Sequence, residues 1–114
     1  MPPITHAISI RQPYVELILR GDKKNEFRSR LTNIRGRVYL YAALRPKDDA
    51  AAWKKIGSLS KTLPVGKIVG SVEIVGCKQR ASGEFAYRLA NPKRVRTPLR
   101  PLNQPQPGFW IPQF

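Results

Sequence analysis

Lys23, Glu26 and Arg28 lie close together in the stretch RGDKKNEFRSR, which begins at Arg20 and ends at Arg30. A lysine offers three donors to phosphate oxygens, and an arginine offers a planar fork to a phosphate or a base edge. Glu26 is the unusual member, because a carboxylate repels a phosphate. It can orient its basic neighbours, accept a hydrogen bond from a cytosine amino group, act as a general base or hold a metal. Alternatively, Glu26 only balances the surface arginines.

Residues upstream of this stretch are further candidates for a nucleic-acid site. Arg11 adds a positive charge, and Gln12 either reads a base edge or caps the following helix. Tyr14 either packs in the core of that helix or forms a platform on which a base stacks. Each of these residues therefore has both a binding role and a structural role open to it.

A second basic cluster lies between residues 88 and 100 and is interrupted by prolines. Five positive charges in so short a segment cannot all be buried, so we expect them to follow a nucleic-acid backbone beside the site. The alternative is a solvated tail. The members of this cluster are Arg88, Lys93, Arg94, Arg96 and Arg100.

The composition points to a polyanionic partner. The chain has 114 residues, with 21 Lys and Arg against seven Asp and Glu, a formal net charge of +14 and a pI near 10.8. Such an excess favours RNA or DNA as the ligand. One cysteine and one histidine fall short of a zinc site. Since there is no long apolar run or signal peptide, we expect a monomeric cytoplasmic protein with one domain over residues 1–114 and no membrane partner.

Patterns of apolar residues and the positions of proline and glycine predict the elements that hold these side chains. Alternation predicts a strand over residues 25–30, and β-branched residues with glycines predict a long strand over residues 64–79. Further strands are predicted over residues 6–10, 36–43, 84–92 and 109–112. Helices are predicted over residues 13–21 and 46–57, and an irregular segment over residues 97–108. In the second strand we expect Glu26, Arg28 and Arg30 on one face and Phe27 on the inward face. Five to six strands with two helices predict an α+β fold built as a small mixed β-barrel.

Several of these segments together resemble the ASCH family, the activating-signal-cointegrator homology domains. The lead RQPY matches at residues 11–14, and the family signature G-x-K-x-x-E-x-R falls on Gly21, Lys23, Glu26 and Arg28. The segments RGRVYLYAA, GKIVGSVEIVGC, YRLANPKRV and GFWIP follow in the order that the family shows. The resemblance covers nearly the whole chain.

The resemblance implies a PUA-like β-barrel with a cleft between the barrel and the first helix, lined by the Lys, Glu and Arg of the signature. Members of the family are linked to RNA binding. Some small members resemble hydrolases, which either cleave single-stranded RNA with a metal or hydrolyse the amide of N4-acetylcytidine. In the amidohydrolase type a Thr follows the catalytic Lys by three positions, whereas Glu26 occupies that position here.

The resulting hypothesis is a module for single-stranded RNA or DNA, with possible ribonuclease activity in which Lys23 and Glu26 are catalytic. Binding needs no cofactor, whereas a ribonuclease could use one divalent metal; the acids are too few for a two-metal site. The alternatives are an amidohydrolase acting on N4-acetylcytidine and a structural ribosome-associated protein. The predicted nucleic-acid-binding residues are Arg11, Gln12, Tyr14, Lys23, Arg28, Arg30, Lys93, Arg94 and Arg96.

Overall fold

A computed structural model describes residues 3–57 and 62–114. The described residues form six strands and two helices, which follow one another as β1 (Ala7–Ile10), α1 (Tyr14–Leu19), β2 (Asn25–Arg28), β3 (Gly36–Ala42), α2 (Ala50–Ile56), β4 (Lys67–Gln79), β5 (Phe85–Leu99) and β6 (Phe109–Trp110). All six strands belong to one sheet in the order β2-β5-β4-β3-β1-β6, in which only β1 and β3 pair in parallel. The sheet curls into a half-barrel, which confirms the predicted α+β fold.

The long strands β4 and β5 give the sheet its curvature. Their pairing register shifts at three places, and such bulges bend a strand and increase its twist. Gly70 lies at one of them. A Cβ atom at Gly70 would lie 2.4 Å from the carbonyl oxygen of Lys93 and 2.6 Å from the Leu19 side chain. Only glycine therefore allows β5 and α1 to approach β4 this closely.

The core fills the concave side of the sheet and is covered by α1. Ile8, Leu40 and Val72 contribute from three strands, while Val15 and Ile18 contribute from the helix, and all five are at most 1% exposed. The helix presents these apolar residues at helical spacing, so that burying one side of α1 positions its N-terminal end beside β2. No helix among the described residues is long and apolar enough to cross a membrane.

Two predicted boundaries were wrong by four residues or more. Strand β5 continues to Leu99, although the prediction ended it at Pro92 and treated residues 97–108 as irregular. Pro92 is tolerated because it falls in the bulge between the pairs Ser71–Lys93 and Glu73–Ala90, where the ladder does not require its missing N–H. Helix α2 begins at Ala50 rather than near Pro46, because the Asp49 side chain accepts a hydrogen bond from Ala52 N and caps the helix there.

Candidate nucleic-acid site

A cleft of about 840 Å³ opens beside the N-terminal end of α1. Strands β1 and β2 form its floor, and the segments after β3 and before β6 form two rims. One rim carries Arg45 and Lys47, and the other is formed by the uncharged residues 105–108. The cleft is large enough for a nucleotide, since small-ligand sites measure roughly 300–1,000 Å³.

Glu26 and Arg28 form an ordered ion pair in the wall of this cleft. Glu26 is 7% exposed, and its Oε2 atom lies 2.8 Å from Arg28 Nε and 2.7 Å from Arg28 Nη2. Arg28 Nη2 also donates to the carbonyl oxygen of Ser9 in β1 at 2.8 Å. The two side chains lie on one face of β2, as their spacing predicted, and each fixes the orientation of the other.

The predicted inward orientation of Phe27 was wrong. Phe27 is 40% exposed, and the inner face of β2 carries Glu26 instead. Successive residues of a strand point to opposite faces, so burying Glu26 with Arg28 leaves Phe27 outside. The charge pairs with Arg28 and Lys23 offset the cost of placing a carboxylate inside.

Lys23 lies at the boundary between the cleft and the outer face of β2. Its Nζ atom is 3.7 Å from Glu26 Oε1, 5.4 Å from the centre of the Tyr14 ring and 5.0 Å from the centre of the Phe27 ring. A lysine over aromatic faces is held by cation–π attraction. Lys23 therefore connects a ring in the cleft with a ring outside it.

Tyr14 presents its ring to the cleft while its hydroxyl is held from behind. The hydroxyl donates a hydrogen bond to Asp49 Oδ2 at 2.6 Å. This hydrogen bond, burial and the negative charge of Asp49 raise the pKa of Tyr14 to about 12. Tyr14 is therefore protonated at neutral pH, with its hydroxyl donating to Asp49 and its ring lining the cleft.

Arg11 and Gln12 shape the cleft rather than fill it. Arg11 donates from Nε to the carbonyl of Arg45 at 2.7 Å and from Nη2 to the carbonyl of Pro46 at 3.0 Å. Gln12 is 1% exposed; its Oε1 accepts from Glu16 N, and its Nε2 donates to the carbonyl of Pro64. Of the two roles considered for Gln12, the structure shows the helix cap.

The remaining predicted binding residues lie away from the cleft wall. Arg30 lines a neighbouring pocket of about 500 Å³ that shares Arg28 with the cleft. Arg94 makes a two-pronged pair with Glu16, in which Nη1 and Nη2 lie 2.8 and 3.0 Å from the carboxylate oxygens. Lys93 and Arg96 are exposed on β5. The structure thus brings together Arg11, Tyr14, Glu26 and Arg28, with Lys23 at the edge.

Glu16 ties α1 to the sheet through Arg94 of β5, and it also pairs with Arg20 at the end of its own helix. The pair with Arg20 has a distance of 2.8 Å, and Glu16 is only 6% exposed. Burial alone raises the pKa of the Glu16 carboxyl, yet the hydrogen bonds and charges of Arg94 and Arg20 outweigh it and hold the pKa below its usual value. The Glu16–Arg94 pair spans 78 residues of sequence and orients the helix that carries Tyr14.

Glu16→Gln should lower the free energy of unfolding by about 1–2 kcal/mol at pH 7, because it removes a charge-assisted pair. The pKa of the Glu16 carboxyl is lower in the folded protein than in the unfolded chain. The stabilisation by the ionised carboxylate is therefore complete above the unfolded pKa and is lost as the pH falls through the folded pKa. Urea unfolding of both proteins from pH 7 to pH 3 should show the difference shrinking below about pH 4.5. A difference that grew on acidification would contradict this assignment.

Several cleft residues were not predicted from the sequence. They are Ser9, Tyr41, Arg45, Lys47 and the segment 105–108. The sequence signal available was the pair of cations in RPK just after a strand, together with the turn residues PQPG just before the last strand. Neither signal indicates which side of the sheet its segment faces.

The acidic residues do not form a metal site. No group of three or more His, Cys, Asp or Glu side chains comes together within residues 3–57 and 62–114. Glu26 has one oxygen bound by Arg28 and the other facing Lys23, and these cations would compete with a metal ion. The cleft residues thus do not fit the divalent metal that a ribonuclease could use.

Comparison with known proteins places the chain in a family. The family model described as "ASCH domain" matches residues 8–97, while no curated protein matches. Among solved structures, ASCH from Zymomonas mobilis has a TM-score of 0.65 at 15% identity, covering 93% of this chain and 85% of that one. A Tyr-to-Phe mutant of the same protein gives 0.64 at 15% identity, with 93% and 88% covered.

These structural matches, at 15% identity, concern the fold, which is the PUA-like fold of ASCH domains. Such domains are generally linked to nucleic-acid binding, in agreement with the net charge of +14. The family match extends over most of the chain and includes the signature residues Lys23, Glu26 and Arg28. The chain therefore belongs to the ASCH domain family.

Proposed function

We propose that the protein binds single-stranded RNA and takes one unpaired nucleotide into the cleft. The observation that carries this proposal is the Glu26–Arg28 pair, which is held in the wall of a nucleotide-sized cleft with cations along one rim. A base in a duplex is stacked and paired on both sides, so only an unpaired base can enter such a cleft.

The chemistry of the two rims suggests how the nucleotide lies. Arg45 and Lys47 supply positive charge on one side, where the phosphates would bind, while residues 105–108 are uncharged. The Tyr14 ring offers a face for stacking, worth about 1–3 kcal/mol per base. Glu26 and Arg28 then meet the base edge, with an acceptor and a donor side by side.

Glu26 gives this site its selectivity in the proposal. A carboxylate accepts a hydrogen bond from an exocyclic amino group, as on cytosine, and finds no donor in the same place on uracil. Arg28 keeps the carboxylate in one orientation, because it is itself anchored to the Ser9 carbonyl. Base preference and backbone binding thus come from different residues.

The double variant Arg45→Ala, Lys47→Ala should weaken RNA binding and make it less sensitive to salt. For a single strand, log K falls with log[salt] by about 0.7 for each phosphate neutralised, so the slope should become shallower by about 1.4. Fluorescence anisotropy of a labelled single-stranded RNA across a salt series measures both quantities.

Arg35 supplies the control for this experiment. Its guanidinium donates to the carbonyls of Thr32 and Ile34, and it does not belong to the cleft wall. Arg35→Ala should change the slope by far less than the double variant does. Equal slopes of log K against log[salt] in the wild type, the double variant and Arg35→Ala would refute binding through this rim. A slope near zero in the wild type would refute it as well.

Hydrolysis is the second candidate, and the proximity of Lys23 to Glu26 favours it. An amine 3.7 Å from a carboxylate can exchange a proton with it during attack on an amide or a phosphodiester. The test is turnover of N4-acetylcytidine and of single-stranded RNA, the latter with and without EDTA. Activity lost in Lys23→Ala but retained in Lys24→Ala would support an enzyme, whereas no turnover would leave binding alone.

A further inference from the structure

Phe27 lies on the outer face of β2, which is an edge strand of the sheet. The strand register places Phe27 of β2 opposite Ala86 of β5, and Ala86 opposite Lys78 of β4. Directly opposite residues of antiparallel strands point to the same face. Phe27 is 40% exposed, since its neighbour Ala86 is too small to cover it and only long basic side chains lie over its ring.

Positive charges surround this ring. Arg80 Cζ lies 4.3 Å and Lys23 Nζ 5.0 Å from the ring centre. Lys78 shares the row of Phe27, and Arg88 stands opposite Asn25 in the adjacent row of the same face. One carboxylate is nearby, since Glu84 Oε1 lies 3.4 Å from Arg80 Nη1, with both side chains about half exposed.

We propose that this outer face is a second surface for single-stranded nucleic acid, on which Phe27 stacks a base while Lys78, Arg80 and Arg88 bind the neighbouring phosphates. An exposed aromatic ring among cations is the arrangement that such ligands require, because every base has a stacking face and every linkage a negative charge. This inference rests on the proposed function, since one strand would occupy both surfaces.

Lys23 marks the path from the cleft to the outer face. Its ammonium group is near the Tyr14 ring on one side and the Phe27 ring on the other. A pocket of about 280 Å³ follows, in which Lys23, Lys24 and Arg88 provide the charge and Gly21 and Asn91 form part of the wall. A strand whose base is in the cleft would thus pass a phosphate over Lys23 before its next bases reach Phe27.

The decisive experiment compares a trinucleotide with a nonanucleotide of the same RNA sequence. Phe27→Ala should weaken the nonanucleotide complex roughly 5- to 150-fold, the effect of losing one stacked base. It should leave the trinucleotide, which fills only the cleft, unchanged. Phe27→Trp should retain nonanucleotide affinity, and Val75→Ala, which removes another exposed apolar side chain from β4, should have no effect. Anisotropy titrations measure all of these affinities.

Each other outcome overturns the inference. Unchanged nonanucleotide affinity in Phe27→Ala would make the ring a structural partner of Lys23 and Arg80 only, while trinucleotide binding would still uphold the cleft. Equal losses for both lengths would mean that Phe27 acts through Lys23 on the cleft. Equal binding of duplex and single-stranded RNA would reduce the face to a basic patch. If neither oligonucleotide binds the wild type, the proposed function fails together with the inference.

A second variant decides the question if Phe27→Ala does not fold. Lys78→Ala, Arg88→Ala alters only exposed side chains. It should make the salt slope of nonanucleotide binding shallower by about 1.4 and leave that of the trinucleotide unchanged. The same shift for both lengths, or for neither, would overturn the inference.

Discussion

Glu26→Gln should keep or increase the overall affinity for RNA and abolish the preference between bases. The variant retains the shape of the side chain, removes a charge that repels phosphates, and loses the carboxylate that accepts from a base amino group. A carboxylate contact of this kind provides about 1–3 kcal/mol of discrimination, or roughly 5- to 150-fold between bases. Affinities for the homopolymers of cytidine, uridine and adenosine, measured by anisotropy at one salt concentration, test this result.

Glu84→Gln is the matched control, because it removes the same charge at an exposed pair with Arg80 outside the cleft. It should raise the affinity for all homopolymers alike and leave their ranking unchanged. If Glu26→Gln behaved in the same way, Glu26 would be only a counter-charge for Arg28. In that case the cleft would bind RNA without reading the base.

Gly70→Ala should lower the free energy of unfolding by about 3 kcal/mol, which is large for a chain of this size. The new methyl group would meet the Lys93 carbonyl oxygen at 2.4 Å, so β4 and β5 would have to separate. Thermal unfolding should show a decrease in Tm of roughly 10–20 °C.

Gly76→Ala on the same strand is the control for the Gly70 variant. Its nearest neighbour would be Arg88 Cβ at 3.9 Å, which is ordinary van der Waals contact. Its Tm should remain within a few degrees of the wild type. Similar Tm values for the two variants would contradict the close approach of the strands at Gly70.

The sequence was sufficient to predict the helices and strands, but not which side chains of a strand are buried. Proline and glycine at segment ends predicted both helices, and all six strands were predicted as segments. The orientation of β2 was predicted wrongly because hydrophobicity favours Phe27 inside. The burial of Glu26 depends on Arg28 and on the Ser9 carbonyl, which comes from a strand 19 residues away. A pattern within four residues contains no information about such a partner.

The residues of the candidate site could likewise be predicted only where their placement depends on local spacing. The signature indicated Glu26 and Arg28 because their spacing on a strand is local. The rim cations Arg45 and Lys47 were missed, since their position depends on how Arg11 holds the segment after β3. Arg94 was predicted to contact RNA, and its pairing with Glu16 could not be inferred across 78 residues.

The contact between Arg28 and the Ser9 carbonyl also explains where the fold can accept a ligand. Strands β2 and β1 are not neighbours in the sheet, so the half-barrel has a seam there that a side chain bridges in place of a backbone ladder. A base that enters beside Arg28 would displace no backbone hydrogen bond between strands. In the proposed binding mode, a nucleotide would therefore enter and leave at this seam while every paired strand of the sheet stays intact.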